Sequence, residues 1–242
     1  MSRLAVLSIA GFDPSAGAGI LADIKAFQKH EVYGFGAITG LTIQNEWEVK
    51  NVQWYPIKEI IGQLEMILPK HEIAAVKIGV TESQEALEQI VSYLRETSPA
   101  SKLVWDPVFK SSSGYCFWQY LDMDRLYETL DKLDLITPNV EEYVSIWGTN
   151  LPLHQVQCNA SILLKSVSQS QDQVIDYLWW KQKLHHLKSN RLTDHDKHGT
   201  GCWLSSGIAA GLAQGLDVAK AWQQSKEHLN QYMTSSSELL GI

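Results

Sequence analysis

Short apolar runs alternate with amphipathic helical stripes along most of this chain, and that alternation leaves very few architectures open. Leu4 to Ala10 is an apolar run ending in Gly11, after which Ile20, Leu21, Ile24 and Phe27 recur at helical spacing. Gly34 to Ile43 reads as a second strand, followed by a helix whose apolar stripe is Ile57, Ile60, Ile61, Leu64, Ile67 and Leu68. The pattern repeats with a strand at Ala74 to Ile78, a helix at Ser83 to Arg95, and a strand at Lys102 to Trp105 that stops at Asp106-Pro107. Leu121 to Leu130 reads as helix, Leu135 to Thr137 as a short strand closed by Pro138, Val140 to Trp147 as helix and Ser161 to Lys165 as a buried strand. Such alternation predicts an α/β fold, with three αβα layers around a mostly parallel sheet. Between Ser166 and Asp196 the periodicity weakens: Val174 to Trp180 reads as a strand and Lys181 to Leu192 only as an unassigned excursion.

The 242 residues, 45% of them hydrophobic, suffice for one substantial domain over 1–242, and no linker or repeat divides them. A net charge of −7 without a basic block excludes nucleic acid as the main partner. No apolar run is long enough for a membrane span, and the start lacks the character of a secretory signal, so a cytoplasmic location is expected. Cys116, Cys158 and Cys202 are odd in number and widely spaced, which suits neither a disulfide framework nor a zinc knuckle.

Sites in parallel sheets lie past the carboxyl ends of the strands. The most informative segment there is Lys197-His198-Gly199-Thr200-Gly201-Cys202, which opens a run of small residues through Leu212. A helix N-terminus presents unpaired N–H groups and partial positive charge, which suits an anion and lowers the pKa of a thiol placed there. The same residues also read as a plain helix cap with a small buried cysteine. Gly17 to Ala22 matches a dinucleotide fingerprint, but Phe12 to Ala16 intervenes after the strand, and no P-loop pattern occurs. Gly11 and Asp13 read either as a loop holding a small polar substrate or as a turn. Asp106, with Asn139 and Glu142, reads either as a magnesium site completed by phosphates and water, or as a turn residue and a helix cap. His185-His186 and His195-x-x-His198 lack acid or cysteine partners at metal-binding spacing.

These segments together resemble a known family. Ala10-Gly11-Phe12-Asp13-Pro14-Ser15-Ala16-Gly17-Ala18-Gly19-Ile20, then Ala22-Asp23-Ile24-Lys25, Leu41-Thr42-Ile43-Gln44-Asn45, Val76-Lys77-Ile78-Gly79, Asp106-Pro107-Val108, Ile136-Thr137-Pro138-Asn139 with Glu142, and His198-Gly199-Thr200-Gly201-Cys202 are similar to the hydroxymethylpyrimidine/phosphomethylpyrimidine kinases of thiamine biosynthesis, in the ribokinase-like superfamily.

The resemblance implies ATP- and Mg²⁺-dependent phosphorylation of 4-amino-5-hydroxymethyl-2-methylpyrimidine and then of its monophosphate, by a homodimer. It implies Cys202 as the base and Gly199, Thr200 and Gly201 as the anion hole. Gly11, Asp13, Gln44, Val80 and Val108 would meet the pyrimidine, Asn139 and Lys165 the nucleotide, and Asp106 and Glu142 the metal. The chain departs from the family pattern at Phe12, Ala16 and Val80 around the substrate. It departs again at Ser166-Val167-Ser168, where Gly-Gly-His usually follows the lysine, and across Phe109 to Gly114, which carries Lys110 and three serines. Three alternatives stand beside the pyrimidine kinase: a pyridoxal kinase of the same fold, a non-catalytic pyrimidine-binding regulator, and more distantly a Rossmann oxidoreductase.

Overall fold

The computed structural model describes residues 4–149, 151–169, 173–192 and 197–241. In chain order the elements are β1 (Ala5–Phe12), α1 (Gly19–Lys29), β2 (Tyr33–Gln44), β3 (Val49–Trp54), α2 (Ile57–Ile67), β4 (Ile73–Ile78), α3 (Gln84–Thr97), β5 (Lys102–Trp105), α4 (Met123–Leu130), β6 (Leu135–Ile136), α5 (Val140–Trp147), β7 (Ser161–Gln169), β8 (Gln173–Trp180), β9 (Lys183–Asn190), α6 (Thr200–Ala213) and α7 (Val218–Thr234). Several helices begin at residues whose side chains accept a hydrogen bond from the first turn: Ser83 from Ala86, Asp122 from Arg125 and Asp217 from Lys220.

The described strands form one nine-stranded sheet in the order β3-β2-β1-β4-β5-β6-β7-β8-β9. Pairing is parallel from β2 through β7, and β3, β8 and β9 add antiparallel edges. Alternate residues of the central strands feed two cores. Leu7, Ile9, Val76, Leu103, Trp105 and Ile162 pack with α2 to α5 on one face. Val6, Ala75, Val104, Leu135 and Leu163 pack with α1, α6 and α7 on the other. Both faces are covered, as the alternation of strands and helices requires.

Three elements differ from the sequence reading. β3 is an exposed edge strand between Glu48 and Tyr55, and its polar composition leaves no apolar run to find. The excursion at Lys181 to Leu192 contains β9, joined to β8 by Lys181-Gln182, both at positive φ (50° and 59°), between the paired Trp180 and Lys183. Two left-handed residues make the hairpin turn that follows strand twist, usually signalled by asparagine or glycine. α7 carries a stripe of Val218, Ala221, Trp222, Leu229 and Tyr232 that the sequence reading left unassigned.

α6 is buried on all sides from Trp203 to Gly211, which explains its small residues. A Cβ at Gly207 would lie 2.2 Å from Ser225 Oγ on α7, so the two helices meet at backbone distance there. No described helix is long and apolar enough to cross a membrane.

Candidate active site

β1 has β2 on one side and β4 on the other, so the chain changes direction across the sheet at this strand. A crevice opens past the strand ends at such a switch point. Here it is a cavity of about 260 Å³ closed on one side by the N-terminus of α6. Every site residue expected from the sequence lines it: Gly11 and Asp13 after β1, Gln44 at the end of β2, Val80 after β4, Asp106 and Val108 after β5, Asn139 and Glu142 after β6, Lys165 on β7, and Gly199, Thr200, Gly201 and Cys202 at α6. A second cavity, of about 540 Å³, shares Asn139, Glu142 and Lys165 and extends to Ser145 and Ser166.

The loop that opens α6 depends on Gly199. Its φ is +76°, and a Cβ there would sit 2.0 Å from the Gly17 carbonyl oxygen. Only glycine fits, which lays this loop against the one after β1. His198 bonds the two loops as well, its Nε2 lying 2.9 Å from Asp13 Oδ2. Burial works to raise the Asp13 pKa, yet His198, Gln44, Ser15 and the Ala18 N–H hold it at about 2. From behind, the C-terminal segment secures the same loop: Lys197 donates to Ser236 and to the Glu238 carbonyl, and the His198 N–H donates to the Leu239 carbonyl.

Asp106 is the hub on the other side. Its Oδ1 accepts from Lys165 Nζ at 2.7 Å and Thr137 Oγ1 at 3.0 Å, and its Oδ2 from Ser205 Oγ at 3.2 Å. Burial opposes its charge, but Lys165 and Lys77 outweigh burial and keep its pKa below the carboxylate norm. Asn139 and Glu142 form a capping box on α5, each side chain accepting the other's backbone N–H at 2.7–2.8 Å. Both the cap role and a place in the cavity therefore hold for this pair. Burial, reinforced by Asp106 and opposed by Lys165, pushes the Glu142 pKa up to about 7.

Cys202 departs from the expectation of a lowered pKa. Burial pushes the thiol up to about 11; Asp23 and Asp106 add to this, while Lys77 and the Gly19 N–H pull the other way. Burial, together with the charges of Asp23 and Asp106, outweighs the helix terminus.

Sequence reasoning did not single out Lys77. It is fully buried on β4, yet it lines the cavity and is fixed by Asp23 on α1, which also accepts from Ser8 and Ser206. The signal was available as a lysine inside an otherwise apolar strand, matched by an aspartate on the buried side of a helix. His185 and His186 stand away from the cavity on β9, where they pack on Trp180 and Tyr177, and His195 lies outside the described residues. Among the described residues no cluster of three or more metal-ligating side chains occurs.

Known proteins share this fold. The phosphomethylpyrimidine kinase family model matches residues 13–241. The hydroxymethylpyrimidine/phosphomethylpyrimidine kinase of Aquifex aeolicus (strain VF5) is 32% identical over 244 residues, covering 96% of this chain and 95% of that one. The crystal structure of phosphomethylpyrimidine kinase from Clostridium difficile 630 superposes with a TM-score of 0.76 at 30% identity, covering 95% of this chain and 99% of that one. The pyridoxal kinase of Staphylococcus aureus in complex with AMP-PCP superposes with a TM-score of 0.81 at 25% identity, covering 97% and 89%. With a ribokinase-like fold and a family match over nearly its whole length, this chain is a phosphotransferase that belongs to the phosphomethylpyrimidine kinase family.

Proposed function

We propose that the chain transfers the γ-phosphoryl group of ATP to the hydroxymethyl group of 4-amino-5-hydroxymethyl-2-methylpyrimidine and then to the resulting monophosphate, in the cytoplasm, as a homodimer. The observation that carries this reading is the meeting of Gln44, Asp13 and Cys202 in one cavity. An aminopyrimidine edge offers an N–H donor beside a ring-nitrogen acceptor, and a side-chain amide supplies the complementary pair. A pyridoxal ring carries no amino donor. The structural likeness to pyridoxal kinase nevertheless keeps that substrate as the second reading.

In the proposed reaction, Gly11, Val80 and Val108 hold the ring and Cys202 faces the hydroxyl. The hydroxyl proton passes to the sulfur of the Cys202 thiolate, the form that the Lys77 charge favours against burial, as the oxygen forms its bond to the γ-phosphorus. The bond from that phosphorus to the bridging oxygen breaks, and ADP leaves. The backbone N–H groups of Gly199, Thr200 and Gly201 meet the charge on the migrating group, where positioning and electrostatics supply most of the catalysis. Asn139 and Lys165 would face the nucleotide, whose analogue AMP-PCP a related kinase binds.

Glu142 and Asp106 would hold magnesium. A buried acid pushed to about 7 beside a second carboxylate has the donor chemistry that a cation would favour. The small number of protein ligands also fits an ion that takes most of its shell from phosphates and water. Bound there, the metal would neutralise phosphate charge. Since Asp106 already receives Lys165, Thr137 and Ser205, Glu142 carries more of that role.

Release of ADP measured with hydroxymethylpyrimidine, its monophosphate and pyridoxal tests the reading. Turnover with either pyrimidine supports it; turnover with pyridoxal alone transfers the assignment to the second reading. Calorimetric binding of the pyrimidine without ADP release would make the chain a non-catalytic binder.

A further inference from the structure

Lys77, Lys110, Lys165 and Lys197 all line the first cavity. The protein itself occupies three of these charges: Lys77 is paired with Asp23, Lys165 with Asp106, and Lys197 with oxygens of the C-terminal segment. Lys110 differs. Its side chain is exposed and makes no hydrogen bond or ion pair with any described residue. It also lies where the two cavities adjoin, since both are lined by Lys110, Ser111, Ser112, Asn139, Glu142 and Lys165.

The backbone that carries Lys110 is well anchored. Lys110 forms a β-bridge with Cys116, the Ser111 N–H donates to the Tyr115 carbonyl at 2.9 Å, and the Phe117 N–H donates to the Phe109 carbonyl at 2.8 Å. On either side of this small hairpin, Phe109 and Trp118 are buried against each other with ring centroids 5.1 Å apart, and Trp118 stacks on Trp105. At the tip, Ser113 Oγ accepts from the Val49 N–H of β3. Phe109 is committed to the core, whereas its neighbour Lys110 is exposed. A cation with no partner among the described residues is thus held on an anchored hairpin where both cavities adjoin.

We propose that Lys110 is a specificity residue that binds a phosphate group at this junction. The phosphate is either the terminal one of the nucleotide or the one already carried by a monophosphorylated acceptor. Either would bring charge to a place where Asp106 and Glu142 are nearby and the other lysines are already paired. This proposal rests on the kinase reading above.

The test is calorimetric binding of AMP-PCP, hydroxymethylpyrimidine monophosphate and unphosphorylated hydroxymethylpyrimidine to the wild type, Lys110→Met and Lys110→Arg. Loss of one charge-assisted contact weakens a phosphate ligand by about tenfold or more. Lys110→Met is expected to show that loss for AMP-PCP, for the monophosphate, or for both. Unphosphorylated pyrimidine should bind as to wild type, and Lys110→Arg should recover most of the affinity. A loss confined to AMP-PCP identifies the nucleotide as the source of the phosphate; a loss confined to the monophosphate identifies the acceptor. Unchanged binding of both phosphorylated ligands overturns the proposal, as does an equal loss for the unphosphorylated ring. If neither pyrimidine binds the wild type, the substrate reading fails, and AMP-PCP alone decides the role of Lys110.

Discussion

Lys77 Nζ lies 2.9 Å from each carboxylate oxygen of Asp23, with both side chains fully buried. Burial alone would strip the lysine of its charge, but Asp23, Cys202 and Asp106 hold its pKa above the usual lysine value. The positive charge of Lys77 is in turn the largest influence favouring a Cys202 thiolate.

Breaking this pair should therefore have two separable effects. Lys77→Met leaves Asp23 buried and unpaired and should cost about 3–5 kcal/mol in denaturant unfolding, whereas Lys77→Met with Asp23→Leu should cost much less. In the double variant, alkylation of Cys202 by iodoacetamide, followed site by site with mass spectrometry, should need a higher pH than in the wild type. In the wild type, Cys202 should already react more slowly at neutral pH than the exposed Cys116, and its rate should climb as pH rises toward 11. Equal alkylation profiles for wild type and double variant would remove Lys77 from the control of the thiol.

Two departures from the family pattern sit at strained backbone. Ala16 has φ +59° and Ser166 φ +54°, in the left-handed region that favours glycine. At Ser166 the strand bulges between Leu164 and Ser168, and its N–H donates to the buried Asp176. Left-handed backbone costs a non-glycine residue about 1–2 kcal/mol, partly offset by the lower unfolded-state entropy of the larger residue. Ala16→Gly and Ser166→Gly should each raise stability by about 0.5–1 kcal/mol in chemical denaturation. A destabilising effect of either would show that the side chain matters more than the backbone there.

Acid should weaken the contact between His30, which caps α1, and His228 on α7. His30 is buried with its ring 4.4 Å from that of His228, and burial, His228 and Lys29 lower its pKa to about 4 against a smaller opposing effect of Gln224. The unfolded chain takes up the proton first. Stability is therefore full above about 6.5, declines as pH falls below that value, and levels near 4. The loss from this ring is on the order of 2–3 kcal/mol. Denaturant midpoints measured from pH 7 to pH 4 should show this decline, and His30→Leu should flatten it. An unchanged slope in that variant would assign the decline to other groups.

Much of the central sheet was legible because its strands are buried on both faces and read as apolar runs, as at Lys102 to Trp105, which matches β5 residue for residue. The edges were not. β3 draws its stability from β2 and the loops around it, and the β8–β9 hairpin turns through Lys181-Gln182, residues that carry no turn signal. The cavity residues were legible for a different reason: they sit past strand ends, where a parallel sheet converges them. The electrostatics were not legible, because the thiol at Cys202 answers to Asp23, Asp106 and Lys77, which come from three separate elements.

The central claim is that Cys202 takes the proton of the attacking hydroxyl. Single-turnover phosphorylation of hydroxymethylpyrimidine by Cys202→Ala, alongside calorimetric binding of the same pyrimidine, tests it most directly. The account predicts a rate lower by about 10²-fold or more with pyrimidine affinity nearly unchanged, as loss of a general base requires. A Cys202→Ala rate equal to that of the wild type would contradict it.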